Sequence, residues 1–362
     1  MKKLIAAMII LSVGALTQAQ EPKDTTSKLP KPTEAPISRL MLIDTHSHLP
    51  KGLTLDQLVK LMDENGVAMT ALMPTFYGGN KPDGQGISDE NLVLDFHRKR
   101  PDRIIPFMGM QRPVLLDKGR WEQPDAMAER LLRFTESQLR TRSFKGVGEF
   151  ILCHYPYSYP SGARGETIRI PADTPLMKKF LDLAAKYNVP VSIHYEIDEE
   201  SLPSLKKMLE YGRRTTVILA HNGGRPDLPT LQTLLNEYPN VLIDWAGMTH
   251  LGGYGWTSPP PPPRPTGRGV TGGTWVWFVK NPIEDGKGHL RPEWKVFAEQ
   301  YQDRIVGIGF DGAHPEQFFV NTEGYKMALA AFRSMLSDLS PGTAEKIGFK
   351  NAQRLFGAIG AK

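Results

Sequence analysis

Beyond Arg39, eight short apolar runs alternate with longer stretches of helical period, and that rhythm restricts the chain to a parallel α/β fold. The runs are Leu40–His46, Ala68–Pro74, Arg103–Gly109, Phe144–Phe150, Val189–Tyr195, Thr216–His221, Val241–Trp245 and Ile305–Asp311. Helical stretches at Leu55–Glu64, Asp89–Lys99, Asp125–Arg142, Pro175–Tyr187, Glu199–Tyr211, Leu228–Glu237 and Pro292–Gln302 separate them, and a helical region from Tyr325 to Phe356 closes the chain. Eight strands, each followed by a helix, predict a closed (β/α)8 TIM barrel. An open doubly wound sheet is the competing fold. It is disfavoured because no glycine-rich phosphate loop follows the first strand.

The 362 residues exceed the about 250 of a typical barrel, and the surplus is easy to locate. The chain opens MKKLIAAMIILSVGALTQA, with a cationic start at Lys2 and Lys3, an apolar core from Leu4 to Leu16, and small residues around Ala19. Residues 1–19 therefore read as an export signal, with an apolar stretch too short for a comfortable membrane span. The mature protein is expected to be periplasmic or secreted, without a stable membrane anchor. Residues 20–39 are polar and proline-rich, a disordered tether ahead of the barrel domain at 40–359. The formal charge of +5 falls to +3 once Lys2 and Lys3 are removed. No dense basic run follows, so no nucleic-acid partner is expected. Cys153 is the sole cysteine, which excludes an intrachain disulfide.

A second insertion runs from Met248 to Arg291, between the seventh and eighth strands. It holds the proline run Pro259 to Pro263 and then Trp275, Trp277 and Phe278. In a barrel this loop leaves the catalytic face, where it serves either as a substrate-covering lid or as a surface or partner-docking segment.

The histidines carry the chemistry. Of nine, His46, His48, His194 and His221 end predicted strands, and His154, His250, His289 and His314 lie in loops just beyond. Only His97 falls on a predicted helix. The first strand ends Asp44-Thr45-His46-Ser47-His48, and strict alternation places Asp44, His46 and His48 on one side. The fourth strand ends in Glu149 and the eighth in Asp311. The parity that turns Asp311 inward also turns Gly307 and Gly309 inward, leaving room for bulkier neighbours. Four imidazoles and two carboxylates at one mouth suit a divalent ion, with zinc foremost and iron or manganese as alternatives.

IDTHSH, GVGEF, SIHYE, ILAHNGG, GIGFD and the closing NAQRLF (Asn351 to Phe356) together resemble the amidohydrolase superfamily over residues 41 to about 357. The closing segment is similar to the branch containing aminocarboxymuconate-semialdehyde decarboxylases and related lactonases. The resemblance implies that His46, His48, His194 and Asp311 hold a metal, with His221 as a ligand or an acid/base. It also implies that Glu149 matches the bridging carboxylate of TatD-type and some lactonase branches, where two ions are bound. Decarboxylases do not usually place a glutamate there, so the expected count is one or two ions.

The leading expectation is a secreted metal-dependent hydrolase that uses activated water on an ester, lactone, amide or similar bond of a small substrate, either anionic or ring-containing. Asp311 would take the proton from water and pass it to the leaving group, while His221 helps polarise the substrate oxygen. Asp44 is either an imidazole-orienting residue or a carboxylate paired elsewhere. The alternative is a non-oxidative decarboxylase of an aryl or muconate-type carboxylate. A barrel kept only as a binding module is disfavoured, since no ligand position is missing. Candidate substrate contacts are Arg112, His154, Tyr155, Arg225 and Trp245, with Tyr157, Tyr159, Arg164 and Arg169 nearby in sequence. The arginines are either anion clamps or solvated surface groups, and the aromatics either a site wall or loop packing.

Overall fold

The computed structural model describes residues 40–49, 52–74, 90–154, 168–224, 226–249, 283–311 and 322–357. The expected export signal, the proline-rich tether and residues 250–282 of the long insertion lie outside them.

Eight parallel strands pair in a ring: β1 (Leu42–Leu49), β2 (Val67–Pro74), β3 (Ile104–Met108), β4 (Gly146–His154), β6 (Val191–Tyr195), β7 (Val217–Leu219), β8 (Val241–Asp244) and β9 (Ile305–Gly307). A two-residue strand, β5 (Ile168–Arg169), pairs antiparallel with the outer end of β4 and was not anticipated. Between β9 and β1 the ring meets through the Thr45 amide and hydroxyl, which both donate to the Ile308 carbonyl at 2.8 Å. The chain is a (β/α)8 barrel, as the alternation predicts.

The helices begin where local chemistry starts them. Thr54 and Gln57 form a reciprocal capping box ahead of α1 (Leu55–Glu64). Asp125 caps the helix Ala126–Arg140, and Thr174 with Pro175 starts the helix Pro175–Tyr187. Two short turns, Pro113–Leu115 and Lys118–Glu122, occupy a stretch read as loop.

Two layers of apolar side chains follow from the alternation of strand faces. One layer packs strands against helices. The other fills the barrel, with Met69, Ala71 and Met73 at a period of two, joined by Ile43, Ile105, Phe107, Ile218 and Val306. Phe356 of the closing NAQRLF helix completes this inner layer, its ring 5.6 Å from that of Phe107. Asn351 of the same helix donates to the carbonyls of Gln302 and Ile305, at the entry to β9. Arg304 likewise donates to the carbonyls of Leu235, Tyr238 and Val241. The closing segment is thus a plug in the floor of the barrel, the end opposite the strand tips.

Cys153 sits in the outer layer at 1% exposure, and burial pushes its thiol up to about 12. The native protein should therefore react with a thiol reagent at pH 8 roughly a thousandfold more slowly than the unfolded chain. Time-resolved labelling with and without denaturant measures this, and comparable rates would show that the β4 packing is wrong.

Candidate metal centre

Register shifts aim the site residues. Between Asp44 and Ser47, β1 carries one residue more than β2, and β4 carries one extra residue relative to β6 between Val147 and Phe150, the stretch that holds Glu149, and another between Ile151 and Cys153. Such bulges rotate the side chains that follow. Ile43 lies in the inner layer before the β1 bulge, and His46 within it and His48 after it turn into the mouth. Strict alternation consequently fails for Asp44. It accepts hydrogen bonds from the His46 amide (3.1 Å), the Ser47 hydroxyl (2.6 Å) and the Phe310 amide (3.3 Å), and orients no imidazole. Burial pushes its carboxyl up to about 6 against those three bonds.

The orienting role falls to Asp244, which the sequence reading missed although it ends β8. Its Oδ2 lies 3.1 Å from His46 Nδ1, while Oδ1 accepts from the backbone amides of His221 (2.9 Å) and Ala246 (3.0 Å). Gln111, also missed, donates to Glu149 Oε2 at 2.7 Å.

His221 and Asp311 stand on turns past their strands, with φ of 55° and 57°. Asn222, Gly223 and Gly224 continue with positive φ, a conformation that Gly adopts freely and Asn more readily than most residues. Close approach does the rest. A Cβ on Gly309 would lie 2.7 Å from His46 Cβ, and one on Gly307 would lie 2.4 Å from Thr45 Cγ2. The room left by these glycines goes to β1. Gly148, at φ 146°, could not carry a Cβ either, since it would meet the Ser192 carbonyl at 2.5 Å.

The outcome is a knot of imidazoles around one carboxylate. Glu149 Oε1 lies 3.7 Å from His46 Nε2, 3.4 Å from His194 Nδ1 and 3.4 Å from His221 Nε2. His48 Nε2 is 3.5 Å from Glu149 Oε2 and 3.6 Å from Asp311 Oδ1. Asp311 Oδ1 is 3.7 Å from His46 Nε2, and its Oδ2 is 3.9 Å from His221 Nε2. All six residues expected as ligands therefore converge. Burial opposes charge on Glu149, yet His46, His194 and His221 hold its carboxyl well below the usual range. Burial likewise opposes a proton on His194, but Glu149 and Glu196 push it up to about 10. His46 is held well above its usual value by Glu149 and Asp244 in the same way.

These donors fit a metal. The separations are longer than the usual hydrogen bond. They match instead the spacing of about 3.3–3.7 Å between ligands that surround one ion at about 2.0–2.2 Å. His46 Nε2 and Glu149 Oε1 are buried with no hydrogen-bond partner among the described residues. Two overlapping triads, His46–His48–Asp311 and His46–Glu149–His221, each place their ligand atoms within 4.8 Å of one another.

The expected substrate contacts divide. His154 is half-buried at the mouth, its ring 4.9 Å from that of His194. Tyr155 and Arg225 lie outside the described residues, as do Tyr157, Tyr159, Arg164, His250 and His314. Trp245 is not a wall of the site: it is fully buried in the layer between strands and helices. Arg112 is not a clamp at the mouth either. Its guanidinium pairs with buried Glu90, donates to the Gly109 carbonyl at 2.8 Å and covers the Phe134 ring. Arg169 pairs with Asp198 at 2.9 Å, and exposed His289 pairs with Asp338.

A parallel eight-stranded barrel whose strand tips gather histidines and carboxylates defines a class of metal-site TIM barrels. The chain belongs to the amidohydrolase family, whose sequence profile matches residues 43–358. Members of that family are enzymes and bind divalent metal. No curated protein matches the chain. Among solved structures, an uncharacterized TIM-barrel protein from Bordetella bronchiseptica is 12% identical, with a TM-score of 0.50 over 87% of this chain and 97% of that one. An amidohydrolase from Burkholderia multivorans is 13% identical, with a TM-score of 0.46 over 88% and 100%. A 2,6-dihydroxybenzoate decarboxylase from Rhizobium is 16% identical, with a TM-score of 0.44 over 89% and 100%. At 12% identity the likeness to the Bordetella protein shows the fold alone.

Arg112→Ala would leave Glu90 charged and buried, so it should destabilise the fold by about 3–5 kcal/mol while leaving metal content unchanged. Denaturant unfolding and elemental analysis check this. A variant of wild-type stability that loses only substrate affinity would restore the clamp.

Proposed function

We propose that the protein is an exported metal-dependent hydrolase that cleaves an ester, lactone, amide or similar bond in a small substrate. The observation that carries this reading is the contrast between the two site carboxylates. The Glu149 side chain is 3% exposed and surrounded by imidazoles, whereas that of Asp311 is 21% exposed beside the same imidazoles. One is placed as a ligand. The other also reaches the space a substrate and water would occupy.

His46, His48, Glu149, His194, His221 and Asp311 would hold one or two ions, zinc foremost. Bound there, a divalent ion supplies Lewis acidity that makes water a usable nucleophile near neutral pH. The Asp311 Oδ1 atom, between His46 and His48, is the ligand atom, and Oδ2 is the proton-handling atom. Asp311 takes the proton of the attacking water as its oxygen bonds to the substrate carbonyl carbon. It returns that proton to the leaving atom as the scissile bond breaks. His221 Nδ1 donates to the Ala246 carbonyl at 2.8 Å, so Nε2 of the neutral ring presents a lone pair. That supports a ligand role for His221 over oxygen polarisation.

Glu149 also weighs against the decarboxylase alternative, since the resemblance implies that the decarboxylase branch does not usually place a glutamate at that strand end. The NAQRLF segment that favoured it packs at the barrel floor, where sequence affects stability rather than chemistry. Recognition of an anionic or ring-containing group would rest on His154, with Tyr155 next to it and Arg225 four residues after His221 in the sequence as further candidates. Export rests on the Lys2–Ala19 pattern.

Two measurements test the reading. Wild type should carry between one and two equivalents of metal, and Glu149→Gln should lower both the stoichiometry and the turnover of a lactone, ester or amide. Elemental analysis that finds the variant unchanged would remove Glu149 from the ligand set. Metal-saturated Asp311→Asn should lose about 10²- to 10⁴-fold in turnover with a much smaller loss of metal. A loss under tenfold would transfer proton handling to another group.

A further inference from the structure

Glu196, two residues past His194 in the SIHYE run, has no role in the reading above, yet it is buried at 2% exposure. A carboxylate that deep requires a partner. Its Oε1 lies 3.3 Å from His194 Nε2, while His194 Nδ1 faces Glu149 Oε1 at 3.4 Å. The backbone fixes the position. The Glu196 amide donates to the Cys153 carbonyl at 3.0 Å, and its carbonyl accepts from the Ser201 hydroxyl at 3.0 Å. A Cβ on Gly224 would lie 2.6 Å from Glu196 Cγ, so the second glycine of HNGG is the clearance for this side chain.

An imidazole that binds an ion through one nitrogen carries its proton on the other, and the acceptor of that proton decides which nitrogen is which. Three imidazoles around Glu149 Oε1 each have such an acceptor. Asp244 takes His46 Nδ1, the Ala246 carbonyl takes His221 Nδ1, and Glu196 takes His194 Nε2. His194 alone is turned the other way round, with Nδ1 toward the centre.

Building on the metal-site reading, we propose that Glu196 is a positioning residue that accepts a hydrogen bond from the Nε2–H of His194 and thereby makes Nδ1 the ligating atom. Asp244 gives a less direct test of this principle, because its other oxygen also holds two backbone amides. Glu196 acts through the ring.

The test uses the full-length protein with zinc as the probe. Zinc affinity is measured by chelator competition for wild type, Glu196→Gln and Glu196→Leu, with thermal melting of the metal-free proteins as the fold control. Glu196→Leu should bind zinc about 10- to 100-fold more weakly, and Glu196→Gln, which keeps an oxygen acceptor, should fall between. Nitrogen–proton correlation spectra of zinc-loaded wild type should show the His194 proton on Nε2. A proton on Nδ1, or both variants within twofold of wild type, overturns the Glu196 assignment alone. Wild type that takes up no zinc overturns the metal-site reading and this inference with it. Should Glu196→Leu fail to fold, the Gln affinity and the wild-type spectrum decide.

Discussion

An ionised carboxylate sealed among imidazoles governs the mouth of this barrel. Burying an isolated carboxylate is prohibitively unfavourable, and Glu149 is buried. Its charge is stabilised because His46, His194 and His221 bring ring nitrogens to 3.4–3.7 Å of one oxygen. The second oxygen accepts from Gln111. Each of those rings then needs an acceptor on its far side, and Asp244, Glu196 and the Ala246 carbonyl supply it. A single burial event therefore propagates outward into a layer of fixed tautomers. Protons and a divalent ion compete for the same lone pairs, so an ion bound there would displace the protons that Glu149 favours on His46 and His194.

The two ends of the barrel solve different problems. At the floor, guanidinium and amide side chains close off strand-entry carbonyls, as Arg304 and Asn351 do, and Phe356 fills the bore. At the mouth, His221 and Asp311 hold left-handed backbone conformations that cost on the order of 1 kcal/mol each. Such strain persists only where the surroundings enforce it. The His221 amide is held by Asp244, and the Asp311 amide donates to the His46 carbonyl at 2.9 Å.

What the sequence made legible was whatever depends on local pattern. The strand tips could be read because an apolar run ending in His or Asp is a one-dimensional signal, and the eightfold alternation carried the topology. Bulges have no such signature. The extra residue after Asp44 reverses parity within β1, so a carboxylate placed beside the histidines by alternation turns elsewhere. Asp244 was overlooked because its partners, His46 and the His221 amide, are distant in sequence. Arg112 and Trp245 were misplaced for the converse reason. A residue at a strand end can face the surrounding helices as readily as the bore, and only packing shows that Glu90 and the outer layer claim them.

The glycines show how pattern and packing meet. Three of them stand opposite particular partners: Gly309 opposite His46, Gly148 opposite the Ser192 carbonyl, and Gly224 opposite Glu196. In each pair the missing side chain on one strand is space occupied by a neighbour, so the glycine and its partner form one unit. GIGFD, GVGEF and HNGG are therefore not only permissive turns. They are the complementary halves of IDTHSH, of the Ser192 backbone and of SIHYE, each lying where two adjacent strands must approach closely enough for donors from both to reach a common centre. An alanine at any of them would separate those strands by displacing backbone or a β-carbon rather than a flexible side-chain tip. The error would appear as ligand spacing, the quantity on which a metal centre is least tolerant.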